Sequence, residues 1–242
     1  MIHVLPSPGK AGLKDAVQDA AALHDRFLPL GLNAGTLYVI GNDCRTCQSC
    51  VSLRIRTTDY NFSRNEKHIL KNNEELRVTT GPVRIDFEHY ALFTKYLNQR
   101  HPENDNNNWQ MQTLKDYFIP HTHMMEMRSA EGKLVAAIIF DLTDTSLSAF
   151  QMFYDPAISD NRRSIGTLSY LKMIQFAQDQ KRDHIYVGSW VSDSNKLNYK
   201  KRFQNLEALT AQGWVKFDPA IHTTGPDPVK NVPAGTPWLT SP

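Results

Sequence analysis

Between residues 124 and 217 the hydrophobic period switches repeatedly between about two and about 3.6 residues, an order that few architectures accept. Residues 124–128, 134–141 and 148–154 read as strands, 166–181 as a helix, 184–190 as a strand, 196–203 as a helix and 214–217 as a strand. Three successive strands followed by strand, helix and strand describe an antiparallel meander feeding a βαβ crossover. The expected class is therefore mixed α/β (α+β), one mixed sheet with flanking helices.

The first half supplies a smaller set of elements. Residues 13–27 place Leu13, Ala16, Val17, Ala20, Ala21, His24 and Phe27 on one helical face, and Gly31 closes the segment. Residues 36–40 and 51–56 read as strands, the second alternating Val51, Leu53 and Ile55 with Ser52, Arg54 and Arg56. A helix follows over 63–76 with Ser63 as N-cap. Thr79, Thr80, Gly81 and Pro82 then read as a linker. Helices at 87–97 and 111–118 are separated by a polar loop at 103–108, and six prolines in the last 25 residues predict a tail from about 223. The expected division is 1–80, 81–222 and 223–242.

Composition narrows the class of protein rather than the fold. With 242 residues, 40% of them hydrophobic, the chain has the makeup of a globular protein. Its longest apolar run, 134–140, is far short of the roughly 20 residues that cross a bilayer. Pro6 and Pro8 interrupt the stretch a signal peptide needs, so a soluble, cytoplasmic protein without a membrane partner is expected. The net charge of +2 conceals a local band: from Arg45 to Lys71, Arg45, Arg54, Arg56, Arg64, Lys67 and Lys71 face only Asp59 and Glu66. On the expected helix Arg64, Lys67 and Lys71 share a face, which suits a phosphate backbone read without base contacts. Lys196, Lys200, Lys201 and Arg202 form a second cationic group.

All three cysteines fall in Cys44-Arg-Thr-Cys47-Gln-Ser-Cys50, an odd number that argues against a disulfide framework. The CxxCxxC spacing lets thiolates converge on zinc or an iron–sulfur cluster, with a fourth ligand from a His, an Asp or an exogenous group. His3 is the first candidate. Three reduced thiols holding no metal is the alternative. Arg163-Ser-Ile-Gly166-Thr-Leu168 partly matches the loop with which acyltransferases hold the pyrophosphate of coenzyme A at a helix N-terminus. Leu168 replaces the second small residue and is expected to crowd a pyrophosphate, so no coenzyme A is expected, whereas Gly166 still admits a phosphate or carboxylate. His121-Thr-His123 is expected to be a surface or interface pair.

Several fragments together resemble one family, over about residues 30–217. They are Tyr38 to Cys50 with Val51-Ser-Leu-Arg54-Ile55-Arg56; Phe62-Ser63-Arg64-Asn65 with Lys71-Asn72-Asn73; and Asp86-Phe87-Glu88-His89-Tyr90 with Tyr96 and Arg100-His101. Phe153-Tyr154-Asp155-Pro156, Ser164-Ile165-Gly166-Thr167, Ile185-Tyr186-Val187-Gly188-Ser189-Trp190 and Asn195-Lys196-Leu197-Asn198-Tyr199-Lys200 with Phe203 complete the set. In order and spacing they resemble the aminoacyl-tRNA–protein transferases of the N-degron pathway, and bacterial aspartate/glutamate leucyltransferases more than eukaryotic arginyltransferases. Ile2 stands where bacterial members usually carry a further cysteine, so four cysteines are not available here.

The resemblance implies an acetyltransferase-like (GNAT-like) C-terminal domain. It also implies transfer of an aminoacyl group, leucine first and arginine as the alternative, from charged tRNA to proteins beginning with Asp or Glu, marking them for degradation. Expected partners are aminoacyl-tRNA (Leu-tRNA) and those proteins, and not DNA. Tyr154, Asp155, Tyr186 and Tyr199 are the candidates for orienting the amine or relaying its proton. Arg54, Arg64, Lys67, Lys71, Gly166, Trp190, Lys196 and Lys200 are candidates for binding substrate or tRNA. An acetyl-CoA-dependent N-acetyltransferase and a non-enzymatic RNA-binding adaptor with a metal loop are the alternatives.

Overall fold

The computed structural model describes residues 2–6, 25, 27–35, 38–42, 47–102, 109–118, 121–158 and 162–226. Most of the helix expected at 13–27, the loop at 103–108, Cys44, Arg45 and the tail beyond 226 lie outside the described residues. Two compact units interleave along the chain: Met1–Tyr60, Leu142–Ser148 and Ala177–Pro242 form the first, Asn61–Asp141 and Ala149–Phe176 the second.

In the first unit, β1 (Ile2–Pro6), β2 (Asn33–Gly35) and β3 (Tyr38–Asn42) form an antiparallel sheet in the order β1-β3-β2. The alternation expected at β4 (Val51–Arg56) is realised, with Val51, Leu53 and Ile55 at 0–1% exposure. Each such side chain contributes about 1.5–3 kcal/mol by leaving water. β4 lies antiparallel between β9 (His184–Trp190) and β10 (Leu206–Thr210), and β10 continues into β11 (Gly213–Lys216). The beginning of β8 (Ser146–Tyr154) pairs in parallel with β9, Ser146–Ser148 against His184–Tyr186. Gly31 does end a helical turn, the short 3-10 segment Leu28–Leu30. Its φ of 80° is left-handed, and a Cβ there would lie 2.5 Å from Leu209 Cδ2.

In the second unit, Ser63 caps α1 (Arg64–Lys71) through a capping box: its hydroxyl accepts the Glu66 N–H, and the Glu66 carboxylate accepts the Ser63 N–H at 2.7 Å. The helix stops short of the expected residue 76. Asn73 turns its side-chain amide back to the Ile69 carbonyl and across to that of Arg163. Where a linker was expected, β5 (Arg77–Pro82) pairs with β6 (His123–Arg128). Thr79-Thr80-Gly81-Pro82 tolerates this because an edge strand leaves one row of backbone groups unpaired and Pro82 ends it. β7 (Leu134–Leu142) is buried along nearly its whole length, as its continuous apolar run requires of a central strand. The hydrogen-bonded order is β11-β10-β4-β9 and the start of β8 in the first unit, and the rest of β8 with β7-β6-β5 in the second.

Asp86 caps α2 (Phe87–Arg100), and with α3 (Met111–Phe118) this helix covers an aromatic core. The Phe93 ring stands edge-on to Phe118 at 5.3 Å and to Phe153 at 5.4 Å. Wholly buried His89 bonds Asp86 through Nδ1 at 2.7 Å and Glu126 through Nε2 at 3.2 Å. Arg128 joins Glu126 to Glu88, whose other oxygen accepts the Leu134 N–H. α4 (Ile165–Asp179) supplies Leu168, Leu171 and Ile174 to the core. The mixed α/β class is therefore as expected. Besides β5, β1, β2 and β10 had no expected counterpart, and the helix at 196–203 is only a 3-10 turn, Asn198–Arg202. Among the described residues no helix is long and apolar enough to cross a membrane.

Candidate functional site

The residues singled out by sequence fall into both units. In the second, Tyr154 ends β8 and Asp155 follows it, both buried. The Tyr154 ring packs on the start of α4: a Cβ on Gly166 would lie 3.3 Å from Tyr154 Cε1, so Gly166 makes room for a ring. Tyr96 stands edge-on to Tyr154 at 5.0 Å, and the Arg100 guanidinium lies 5.9 Å from the Tyr154 centroid. Burial, with repulsion from Tyr154, pushes the Tyr96 hydroxyl up to about 12, so it stays protonated across the physiological range.

Asp155 accepts from Lys95 Nζ at 2.6 Å and from the Ala157 N–H at 3.0 Å, with Lys133 Nζ at 3.5 Å. Burial raises this carboxyl, but those hydrogen bonds and the two lysine charges outweigh it and hold the group below its ordinary value. It is an ionised anchor for the turn after β8. Arg64, Lys67 and Lys71 lie exposed on α1. Asn72 at the end of that helix donates to the Arg162 carbonyl at 3.1 Å, which fastens the loop before α4 to α1.

In the first unit Arg54 is not a loose cation. Its Nε donates to Glu207 at 2.7 Å, its Nη1 to the Tyr186 hydroxyl at 3.3 Å, and its guanidinium lies 4.5 Å from the Trp214 ring centroid. Arg56 reaches Glu207 at 3.5 Å and Asp59 at 2.9 Å. The basic band of the sequence thus separates into a paired part on β4 and an exposed part on α1. Burial raises the Tyr186 hydroxyl against the lowering contact with Arg54, which leaves it a protonated group.

Next along β9, the register skips Val187: Leu53 pairs with Gly188 and Arg54 with Tyr186, a bulge that twists the strand. Gly188 has φ +73°, which an L side chain rarely adopts. Lys200 separates from its neighbours here. Lys196, Lys201 and Arg202 are exposed, while Lys200 is 6% exposed and donates to the Ser189 carbonyl at 2.6 Å. Burial draws its ammonium down to about 8 against the supporting charge of Cys50. Tyr199 beside it is half-buried. Trp190 is 2% exposed with its ring 5.0 Å from Phe217, and its Nε1 has no hydrogen-bond partner among the described residues.

Of the metal candidates, Cys44 and the His3 side chain lie outside the described residues, although the backbone of His3 pairs with Gly41. Cys47 is exposed, with Ser49 Oγ 3.4 Å from its sulfur, and hydrogen bonding to Ser49 holds this thiol below its ordinary value. Cys50 sits where Gly225 packs: a Cβ on Gly225 would lie 2.3 Å from the Cys50 carbonyl oxygen. Among the described residues no three His, Cys, Asp or Glu side chains gather to hold a metal.

Two expectations need correction. Leu168 does not crowd the α4 N-terminus, because its side chain is wholly buried in the core. His121 is not at the surface: it is 5% exposed, bonded through Nδ1 to Asp141 at 2.7 Å, and stacked on Phe150. Lys95, Glu207 and Trp214 were not foreseen. They lie far along the chain from the groups they hold, and no local spacing reports them.

A sequence profile described as "Arginine-tRNA-protein transferase, C terminus" matches residues 88–210. A protein of Parvibaculum lavamentivorans named aspartate/glutamate leucyltransferase is 37% identical over 174 residues, 71% of either chain. One so named from Pseudomonas fluorescens is 35% identical over 72% of this chain and 74% of its own. A third, from Chromohalobacter salexigens, is 29% identical over 84% of this chain and 83% of its own. Among solved structures the likeness is more remote. L-PGS from Bacillus licheniformis gives a TM-score of 0.45 at 12% identity over 62% of this chain and 49% of that one, and the assignment does not rest on it. The chain belongs to the aminoacyl-tRNA–protein transferase family, whose members act on tRNA and protein substrates.

Proposed function

We propose that this protein transfers leucine from Leu-tRNA to the α-amino group of proteins that begin with Asp or Glu, in the cytoplasm, where charged tRNA is available. The shared name of three relatives, 29–37% identical over more than two thirds of the chain, supports the reading most. The chemistry needs no covalent enzyme intermediate. The neutral amine attacks the ester carbonyl, an N–C bond forms, the C–O bond to the ribose breaks, and the amine proton ends on the ribose oxygen. Tyr154, Tyr186 and Tyr199 are the proposed groups for orienting the amine or relaying its proton. Asp155 acts through Lys95 and the turn after β8.

The exposed cations of α1 suit the tRNA backbone. Replacing Arg64, Lys67 and Lys71 together by Ala is expected to weaken tRNA binding and to reduce the slope of log affinity against log salt by about two. An unchanged slope rules out phosphate contacts there. The cysteine loop is proposed to hold an iron–sulfur cluster or zinc through Cys44, Cys47 and Cys50 with His3; the exposed, readily ionised thiol of Cys47 fits a thiolate ligand. Metal analysis and an ultraviolet-visible spectrum of anaerobically purified protein test this, and Cys47→Ser is expected to lower the metal content.

The activity itself is tested with labelled Leu-tRNA, Arg-tRNA or acetyl-CoA and peptides beginning Asp, Glu or Ala. Label from Leu-tRNA on the Asp and Glu peptides alone is expected. Label from acetyl-CoA alone reassigns the protein as an acetyltransferase, and tRNA binding without labelling makes it an RNA-binding adaptor.

A further inference from the structure

Lys200 is the most unusual charged group outside the roles assigned above. An ammonium has three N–H donors, and taking it out of water is unfavourable unless they are satisfied. Among the described residues, Lys200 Nζ has one hydrogen-bond acceptor, the Ser189 carbonyl at 2.6 Å. That carbonyl belongs to the part of β9 that lies beyond its three-residue pairing with β8. β9 remains paired with β4 at this point, Ser189 with Ser52 and Trp190 with Val51, while its pairing with β8 has ended.

The neighbouring backbone keeps the ammonium approachable. Gly188 is partly exposed, and the place where a Cβ would project from it is 3.7 Å from Lys200 Nζ, so no side chain covers the nitrogen from that direction. The bulge at Val187 and the left-handed φ of Gly188 aim this segment, and the Lys200 bond to Ser189 fixes it. Bulges that re-aim backbone recur beside active sites. A buried cation with donors to spare, fixed at one corner, suits charge that appears only during a reaction.

We propose that Lys200 is a catalytic residue of the transfer reaction, donating an N–H to the carbonyl oxygen of the aminoacyl ester as that oxygen becomes an oxyanion. When the amine nitrogen bonds to the ester carbon, the carbonyl π pair moves onto oxygen, and Lys200 stabilises it there. Collapse restores the carbonyl, breaks the C–O bond to the ribose and leaves the proton on the ribose oxygen. Lys200 is thereby a different kind of group from exposed Lys196, Lys201 and Arg202, with which its sequence groups it. The inference rests on the aminoacyl-transfer reading.

The test compares Lys200→Met, Lys200→Gln and Lys200→Arg with the wild type, using Leu-tRNA and an Asp-initiated peptide. Lys200→Met is expected to lower kcat by about 10²–10³, the range for losing an oxyanion donor, with KM for both substrates within about threefold. Lys200→Arg, which keeps charge and donors, is expected to recover at least about tenfold over Met. Thermal melting and Leu-tRNA retention on filters accompany each variant. A kcat for Lys200→Met within about threefold of wild type, a loss confined to KM, or Arg no better than Met overturns the inference. If the Met variant does not fold, Lys200→Gln, which retains an N–H for Ser189, is read by the same criteria against Arg. Wild-type protein that transfers nothing from Leu-tRNA overturns the proposed function instead.

Discussion

A Phe118→Ala protein is expected to lose about 3–5 kcal/mol of stability, and with it about 10 °C of melting temperature. Phe118 closes α3 and is 0% exposed. Its ring is stacked on Phe153 at 6.0 Å, meets Phe93 edge-on at 5.3 Å, and has Tyr117 at 5.2 Å and Phe150 at 6.3 Å. Removing the ring leaves a void that these stiff neighbours cannot all collapse into, since each is held by its own strand or helix. Phe118→Leu refills part of the volume and is expected to lose less than half as much. Near-ultraviolet circular dichroism during heating reports the loss directly from the aromatic cluster. An Ala variant within about 1 kcal/mol of wild type excludes this packing.

The second large effect is expected at Asp155. Asp155→Ala removes the acceptor for both Lys95 and the Ala157 N–H, and a loss of about 2–4 kcal/mol follows, moderated because Lys95 is 38% exposed. Asp155→Asn keeps an acceptor for the turn but drops the charge, so it should fall between. The sign of the pH dependence follows from the depressed carboxyl. A folded-state value below the unfolded one contributes stability that is present above the unfolded value, about 3.9, and is lost as pH falls through the folded one. The gap between wild type and Asp155→Asn should therefore narrow below about pH 4, as urea melts from pH 7 to 2.5 would show. Because the carboxylate faces Lys95 and the turn, transfer by the Ala variant should follow its folded fraction. A kcat far below that fraction assigns Asp155 to the chemistry.

Local physics explains which parts of the fold were readable. The alternation of Val51, Leu53 and Ile55 and the Ser63–Glu66 capping box act within a few residues, so sequence reports them. The end of α1 does not act locally: Asn73 reaches Arg163, 90 residues on. β5 looked like a linker because Thr, Gly and Pro are also turn residues, and only its pairing with β6 makes it a strand. Leu206-Glu-Ala-Leu-Thr210 has weak alternation of its own, and becomes β10 because β4 and β11 flank it. For the site, residue types were legible and environments were not. Lys200 and Lys201 are adjacent cations in sequence, yet one is buried on a carbonyl and the other is in water. Arg54 belongs to a cationic run in sequence, and the fold pairs it with Glu207 at 2.7 Å.

The placement of β4 has a consequence for how the protein is made. Arg54 and Glu207 are 153 residues apart in sequence although they share a salt bridge. At roughly 5–20 residues per second, a ribosome adds that much chain in roughly 8–30 s. Until β9 and β10 have been made, Val51, Leu53 and Ile55 are without their partner strands. A nascent chain of this protein thus carries an unpaired apolar strand face for that time, and substitutions that weaken β9 or β10 should surface as poor yield before they surface as poor catalysis.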